Sequence, residues 1–325
     1  MKKIVALLMI LCSLFLWGCG KDNATQSANK DEALKIEMLD IGQGDATLIQ
    51  TKEQTIMIDT GDIDERDNLV KLLKERNITT IDKLIITHPH ADHLGGAYAV
   101  FKNFEVKEVY DNGDPTTTQT YKTYLKNIKE KKIKYQQLSA NDELDFGSGV
   151  KFKVFSPTKQ MLKSGDDLNN NSLVGQLKYN DFTMMFTGDA EKEAEENMVK
   201  TYGSELASLV LKSPHHGSRT SSSEAFLKQV DAKTVLISLG AGNEYGHPHK
   251  QTMERYKKLG MKVYETDKNG SITITSDGSK DYKITTEKSK YVVYCLYENT
   301  KRIYLITTSG NHSYLSGKRG RCPFF

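Results

Sequence analysis

Histidine is scarce in this chain of 325 residues: there are eight, and seven fall in three short groups, His88/His90/His93, His215/His216 and His247/His249. Each group stands beside glycine or proline, as a metal site assembled from loops requires. An imidazole nitrogen binds Zn, Fe, Ni or Mn, and a carboxylate can be shared between two cations. In the run His88-Pro89-His90-Ala91-Asp92-His93, the first two histidines are two positions apart. An extended backbone therefore turns both to one side. Asp92 and His93 follow as the chain enters a helix, and they face a neighbouring position. One pair can hold each of two ions, and the chemistry on offer is metal-assisted hydrolysis.

Regular elements must bring these groups together. Leu34–Ile41 alternates apolar and polar residues, and the runs Ala46–Gln50 and Gln54–Ile58 are short and rich in β-branched residues, so three strands are expected. Leu69, Leu72 and Leu73 have helical spacing within Glu65–Arg76. Ile81–Thr87 reads as a continuous apolar strand that delivers His88, and a helix is expected to begin at Leu94-Gly95-Gly96. Further strands are predicted at Val106–Tyr110, Val150–Phe155, Leu206–Leu211 and Thr234–Leu239, and helices at Tyr121–Lys132, Ser223–Val230 and Gln251–Leu259. Leu173–Tyr179 and Phe182–Phe186 form a predicted hairpin around Asn180-Asp181. Asp189 precedes the acid-rich helix Ala190–Thr201, where it can cap the helix and still bind a cation. Short strands are expected at Lys262–Glu265, Ser271–Thr275 and Asp281–Thr285. Runs of strands with helices between them, twice over, predict an α/β fold of two facing sheets with helices outside, a four-layer αββα sandwich. Strands paired before any helix argue against a single open doubly wound sheet.

The ends of the chain differ from its body. Lys2 and Lys3 precede an apolar run from Ile4 to Leu16, too short for a membrane span and followed by Leu16-Trp17-Gly18-Cys19. That arrangement resembles a bacterial lipoprotein signal over 1–19, with Cys19 as the lipidated residue. Residues 20–33 are small and polar, as in a flexible tether. The expected location is the outer face of a bacterial membrane, held by the lipid anchor, or secretion. No cysteine lies between residues 20 and 287, which excludes a disulfide framework and thiolate ligands there. The tail 288–325 carries seven Lys/Arg against one acid, more than the whole net charge of +3, so the segment from 20 to 287 is itself net negative. That balance is not the footprint of a dedicated duplex-DNA binder. The tail itself is open to three readings: an extra hairpin, an unstructured extension, or an abnormal end of the reading frame.

The run from His88 to Gly96 resembles the signature of the metallo-β-lactamase superfamily. Leu39–Ala46, Ile58-Asp59-Thr60-Gly61, Thr187-Gly188-Asp189, Pro214-His215-His216-Gly217-Ser218 and Asn243–Pro248 are similar to the hydrolase domain of ComEC-type DNA-internalisation competence proteins. The resemblance covers about residues 35–285, within an expected hydrolase domain of 34–287. It implies that His88 and His90 bind one metal, that Asp92 and His93 bind a second, and that Asp189 bridges the two. Either His215 or His247 would complete the second metal, with Asp92, His215 and His247 taking part in the chemical steps. His216, His249, Asp45 and Asp59 would have supporting roles. No histidine lies between His93 and His215, and Asn171 occupies the slot where many members place a third histidine on the first metal. An amide there favours a harder ion such as Mn over Zn.

The expected cofactors are two divalent ions, Zn or Mn, sharing a hydroxide that attacks a phosphodiester, single-stranded DNA being one candidate substrate. A small or envelope-linked phosphoester is the alternative substrate. β-Lactam hydrolysis is weaker, because the motif set belongs to the other branch. A non-catalytic, metal-stabilised module in DNA uptake is the reading from a different class.

Overall fold

The computed structural model describes residues 34–164, 167–288, 292–297, 303–309 and 312–314. The expected signal, Cys19 and the tether lie outside them. The chain runs through β1 (Leu34–Met38), β2 (Thr47–Thr51), β3 (Thr55–Ile58), helix α1 (Arg66–Glu75), β4 (Thr80–Ile86), the single turn α2 (Ala91–Leu94), α3 (Ala97–Asn103), β5 (Glu105–Asp111), α4 (Gln119–Glu130) and β6 (Lys134–Gln137). It continues with β7 (Glu143–Asp145), β8 (Val150–Ser156), β9 (Val174–Tyr179), β10 (Phe182–Phe186), α5 (Lys192–Tyr202), β11 (Val210–Lys212), α6 (Glu224–Val230), β12 (Thr234–Ile237), α7 (Lys250–Lys258), β13 (Lys262–Glu265), β14 (Ile272–Ser276) and β15 (Tyr282–Thr286).

One sheet has the order β15-β14-β1-β2-β3-β4-β5-β6, and the other β13-β12-β11-β10-β9-β8-β7. Strands at 292–297, 303–309 and 312–314 extend the first sheet beyond β15 by antiparallel pairing.

Side-chain alternation shows the layering. Ile49, Ile56, Ile58 and Ile85 meet Leu177, Met184, Phe186 and Leu236 in a core between the sheets. Their neighbours Leu48, Met57, Leu84 and Ile86 point the opposite way, onto Leu69, Leu73, Val100 and Phe101 of α1 and α3. Met185, Leu211, Val235 and Ile237 of the second sheet likewise face Met198, Phe226 and Tyr256 of α5, α6 and α7. Strands two-faced in this way cannot lie at a protein surface, and the four-layer αββα sandwich follows.

The differences from expectation are local. β6 and β7 were not predicted, because Lys134–Gln137 and Glu143–Asp145 are mostly polar edge segments without an apolar run. The strand expected at Leu206–Leu211 is confined to Val210–Lys212, since Gly203–Leu206 forms a 3-10 turn. The helix expected at Leu94 starts earlier and is broken into α2 and α3.

Candidate metal centre

β3, β4, β5 and β6 are parallel, as are β10, β11, β12 and β13. The carboxyl ends of parallel strands are where a sheet leaves its loops free to build a site. Asp59 follows β3, His88–His93 follow β4, Asp189 follows β10, and Lys212 ends β11 just ahead of His215 and His216. Residues up to 157 positions apart in sequence thus reach one place (His215 Nε2 to Asp189, 3.8 Å; His93 Nε2 to Asp189, 3.2 Å; His88 Nε2 to Asp189, 3.9 Å) because the two sheets present the same edge.

The loops close on one another through missing side chains. Gly44 has φ +123°, and a Cβ there would stand 2.3 Å from the carbonyl oxygen of Asp92. That vacancy lets the Asp45 N–H donate to the same carbonyl at 3.0 Å. A Gly44→Ala variant is expected to lose at least about 1–3 kcal/mol from backbone strain alone, measurable by urea titration; unchanged stability would show that the two loops do not depend on this contact.

Asp92, His93, Asp189 and His216 bring one ligand atom each to within 4.8 Å of one another. His216 Nε2 lies 3.2 Å from Asp92 Oδ2 and 3.5 Å from Asp189 Oδ1. Beside them, His88 Nε2 meets His90 Nδ1 at 2.9 Å. The other nitrogen of each buried ring is committed. His93 Nδ1 donates to Asp59 Oδ2 at 2.8 Å, and His216 Nδ1 donates to the Ser238 carbonyl at 2.8 Å, an oxygen that can only accept. Thr87 spends its hydroxyl proton on Asp59 at 2.7 Å, so at 3.2 Å it accepts from His88 Nδ1. All three Nε2 lone pairs are thereby turned into the site.

The electrostatics need a cation. His93 Nε2, His216 Nε2, Asp189 Oδ1 and Asp45 Oδ1 are buried and have no hydrogen-bond partner. Such orphaned atoms are costly unless something else satisfies them. Burial disfavours a charged His216, yet Asp189 and Asp45 outweigh it and push the ring up to about 10. Burial also opposes charge on His93, and Asp189, Asp59 and Asp92 hold it well above the usual imidazole range. Protons thus occupy positions that a metal ion would take, and metal uptake must displace them. A second grouping of Asp45, Asp59 and His93 is closed by hydrogen bonds: Thr87 and His93 Nδ1 consume the Asp59 oxygens. Two imidazoles and two carboxylates, whose lone pairs face one another once those protons leave, next to a facing pair of imidazoles, fit divalent ions.

Residues 39–241 match the Metallo-beta-lactamase superfamily. The chain belongs to that superfamily. It is 28% identical over 256 residues to ComE operon protein 3 of Bacillus subtilis, covering 73% of this chain and 32% of that protein. It is 29% identical over 204 residues to Competence protein ComA of Neisseria gonorrhoeae, covering 63% of this chain and 26% of that protein. With Recombination protein 2 of Haemophilus influenzae the identity is 28% over 244 residues, 74% of this chain and 28% of that protein. These are ComEC-like competence proteins, and the chain spans about a third of their length or less. Superfamily members are usually metal-dependent hydrolases.

Within this superfamily fold, the structure reorders the C-terminal histidines. His216, expected in a supporting role, stands in the cluster, whereas His215 and His247 lie outside it. The reason is backbone geometry. His215 and His216 both have positive φ, 48° and 50°, which sends the two rings apart at 70° to each other. His216 is buried, and His215 stays half-exposed with Nδ1 against Glu191 at 3.0 Å. His247 stacks on His216 at a centroid distance of 6.2 Å, and His249 accepts from the Arg219 backbone N–H at 3.0 Å.

Asn171 Nδ2 donates to Asp114 at 2.8 Å, and the Asn171 backbone carbonyl accepts from Asn112 Nδ2 at 2.7 Å. Those bonds tie it to the loop after β5. Asp45 forms an ion pair with Lys212, a residue that sequence reasoning missed. Lys212 is buried, donates to the Gly188 carbonyl at 3.0 Å and lies 4.0 Å from Asp189 Oδ1. Lysine is normally a surface residue, so only its position at the end of an apolar strand, directly before the Pro-His-His turn, could have marked it.

Proposed function

We propose that this centre holds two divalent ions, Zn or Mn, and hydrolyses phosphodiesters, with single-stranded DNA outside the membrane as the substrate. The observation that carries the reading is the convergence of free lone pairs from Asp92, His93, Asp189 and His216 beside the His88–His90 pair. His88 and His90 would hold one ion, Asp92, His93 and His216 the other, and Asp189 both. Asp189 suits the shared position, because its Oδ2 faces His88 and His93 while Oδ1 faces His216. Such a pair supplies, when bound, a nucleophile available near neutral pH and positive charge on both the attacking and departing oxygens.

The chain's own residues do the rest. Asp59 and Ser238 fix the tautomers of His93 and His216. Glu191 anchors His215 Nδ1 at 3.0 Å and leaves Nε2, 3.8 Å from Asp189, facing the site. His215 is therefore placed to pass a proton to the departing oxygen. The competence relatives support a nucleic-acid substrate, and the lipoprotein-like N-terminus supports attachment to the outer membrane face through Cys19. The net negative segment 20–287 favours a second reading, a small or envelope-linked phosphoester.

Metal-stripped protein reloaded with Mn or Zn, and presented in parallel with single-stranded DNA, a small diester and a cephalosporin, tests the reading. DNA and diester turnover without cephalosporin turnover is expected. Bound metal with no turnover of any of the three leaves only the non-catalytic module. Two variants separate the histidine roles. His216→Ala is expected to weaken metal binding by more than the roughly 10–100-fold typical of a lost supporting contact. His215→Ala should keep its metal and lose turnover by roughly 10²–10⁴-fold. Equal metal loss in both, read by plasma mass spectrometry, would return His215 to the ligand set.

A further inference from the structure

The loop from Gly240 to His249 carries rings with no part in the chemistry proposed above. The Asn243 side chain braces it: Nδ2 donates to the carbonyls of Gly240 at 3.0 Å and His247 at 2.8 Å, and Oδ1 accepts from the His247 N–H at 2.9 Å. The braced loop sets Tyr245 on His247 at 5.6 Å and 22° between planes, and His247 on His216 at 6.2 Å and 24°. A series of three rings, each moderately tilted against the next, therefore runs from the candidate ligand cluster out to the surface. Tyr245 ends the series and is 64% exposed, the most exposed large hydrophobic residue among those described. One face of its phenol is covered by His247. A single exposed tyrosine is ordinary. A tyrosine paired with a ring series that ends on a cluster residue offers its open face as a platform.

Cation chemistry lies on the same rim. The Arg219 backbone N–H and Nη1 contact the two nitrogens of His249 at 3.0 and 3.5 Å, and the His249 ring meets His247 edge-on at 4.8 Å. Arg219 is exposed, so its guanidinium is available to a phosphate beside the aromatic series. Alternating stacking faces and phosphate contacts are how proteins follow a single strand, because every unpaired base offers a flat face whatever its sequence. Bases in a duplex have both faces occupied.

We propose that Tyr245 is the platform on which an unpaired nucleobase next to the scissile phosphate stacks, with Arg219 holding a flanking phosphate, so that the site takes single-stranded nucleic acid in preference to small phosphoesters. This rests on the phosphodiesterase reading. Tyr245 is a positioning residue and touches no reacting atom.

The test compares the metal-loaded full chain and its Tyr245→Ala and Tyr245→Trp variants on two strands of equal length. One is a single-stranded oligodeoxynucleotide, and the other is the same sugar–phosphate backbone without bases. Tyr245→Ala is expected to raise KM for the base-bearing strand by roughly 5- to 150-fold, with kcat and metal content kept. KM for the abasic strand stays unchanged, and Tyr245→Trp restores the wild-type preference. Equal KM shifts on both strands, or a shift below twofold on the base-bearing one, overturn the platform and leave the phosphodiesterase reading standing. Hydrolysis of neither strand by the wild-type protein overturns both.

Discussion

Asp189→Ala is expected to release bound metal and abolish hydrolysis of every substrate the protein turns over. Among the described residues, Asp189 is the one side chain within 4 Å of His88, His93, His215 and His216 together, so its removal opens both halves of the centre at once. The loss should exceed the roughly 10²–10³-fold that follows from deleting a single charge-stabilising donor. Metal content by plasma mass spectrometry, and turnover on the best substrate at saturating Mn, measure the two effects separately. Retained metal with normal turnover would remove Asp189 from the shared position. An Asp189→Asn variant guards against collapse of the loop, since its amide fills the space of the carboxylate, and in both variants the backbone N–H can still donate to Ser172, at 3.1 Å in the wild type.

The second large effect concerns stability. Lys212 is the cation that faces Asp45 and Asp189 from inside the protein. Burial disfavours its ammonium, yet Asp45 and Asp189 raise its pKa, so it stays charged. Lys212→Met removes that charge and leaves both carboxylates buried. Breaking a buried ion pair on one side costs about 3–5 kcal/mol. Urea unfolding in the presence of chelator should show a loss of that size. Saturating divalent metal should recover part of it, because the metal binds the folded state alone and supplies positive charge to Asp189. A loss below about 1 kcal/mol, or one that metal does not change, would show that Lys212 does not neutralise the centre. The double variant Lys212→Met with Asp45→Asn should be more stable than the single one, since it removes the stranded carboxylate as well.

Much of this was legible along the chain. His88, His90, Asp92 and His93 lie within six residues, so backbone geometry alone brings them near one another. Asp189 was marked by the resemblance of Thr187-Gly188-Asp189 to the family motif, and its place between a strand and an acid-rich helix was compatible with that role. The strands at Ala46–Gln50, Gln54–Ile58 and Ile81–Thr87 were legible as short apolar runs, and their order among the helices predicted the four layers. Asp59 was expected in a supporting role through its motif, but which histidine it meets was not; the 2.8 Å bond is to His93 Nδ1.

What the chain could not decide was the choice among His215, His216 and His247. Their types and spacing are equivalent, and all three lie on loops. Two consecutive residues with positive φ turn His216 inward and His215 to the rim, and the strain of that conformation is held by contacts from other segments, such as the Ser238 carbonyl on His216 Nδ1. Lys212 escaped notice for a similar reason: its partner Asp45 is 167 positions away, and a lysine declares itself a buried counter-charge only when packing removes its water. Asn171 is held in a similar way, its Nδ2 donating to Asp114, 57 positions away. Ligand types, the paired sheets and the edge at which the loops gather are local properties of sequence. Which nitrogen faces inward, and which charge balances the carboxylates, depend on burial and on contacts between distant segments, and these exist only once the two sheets have packed.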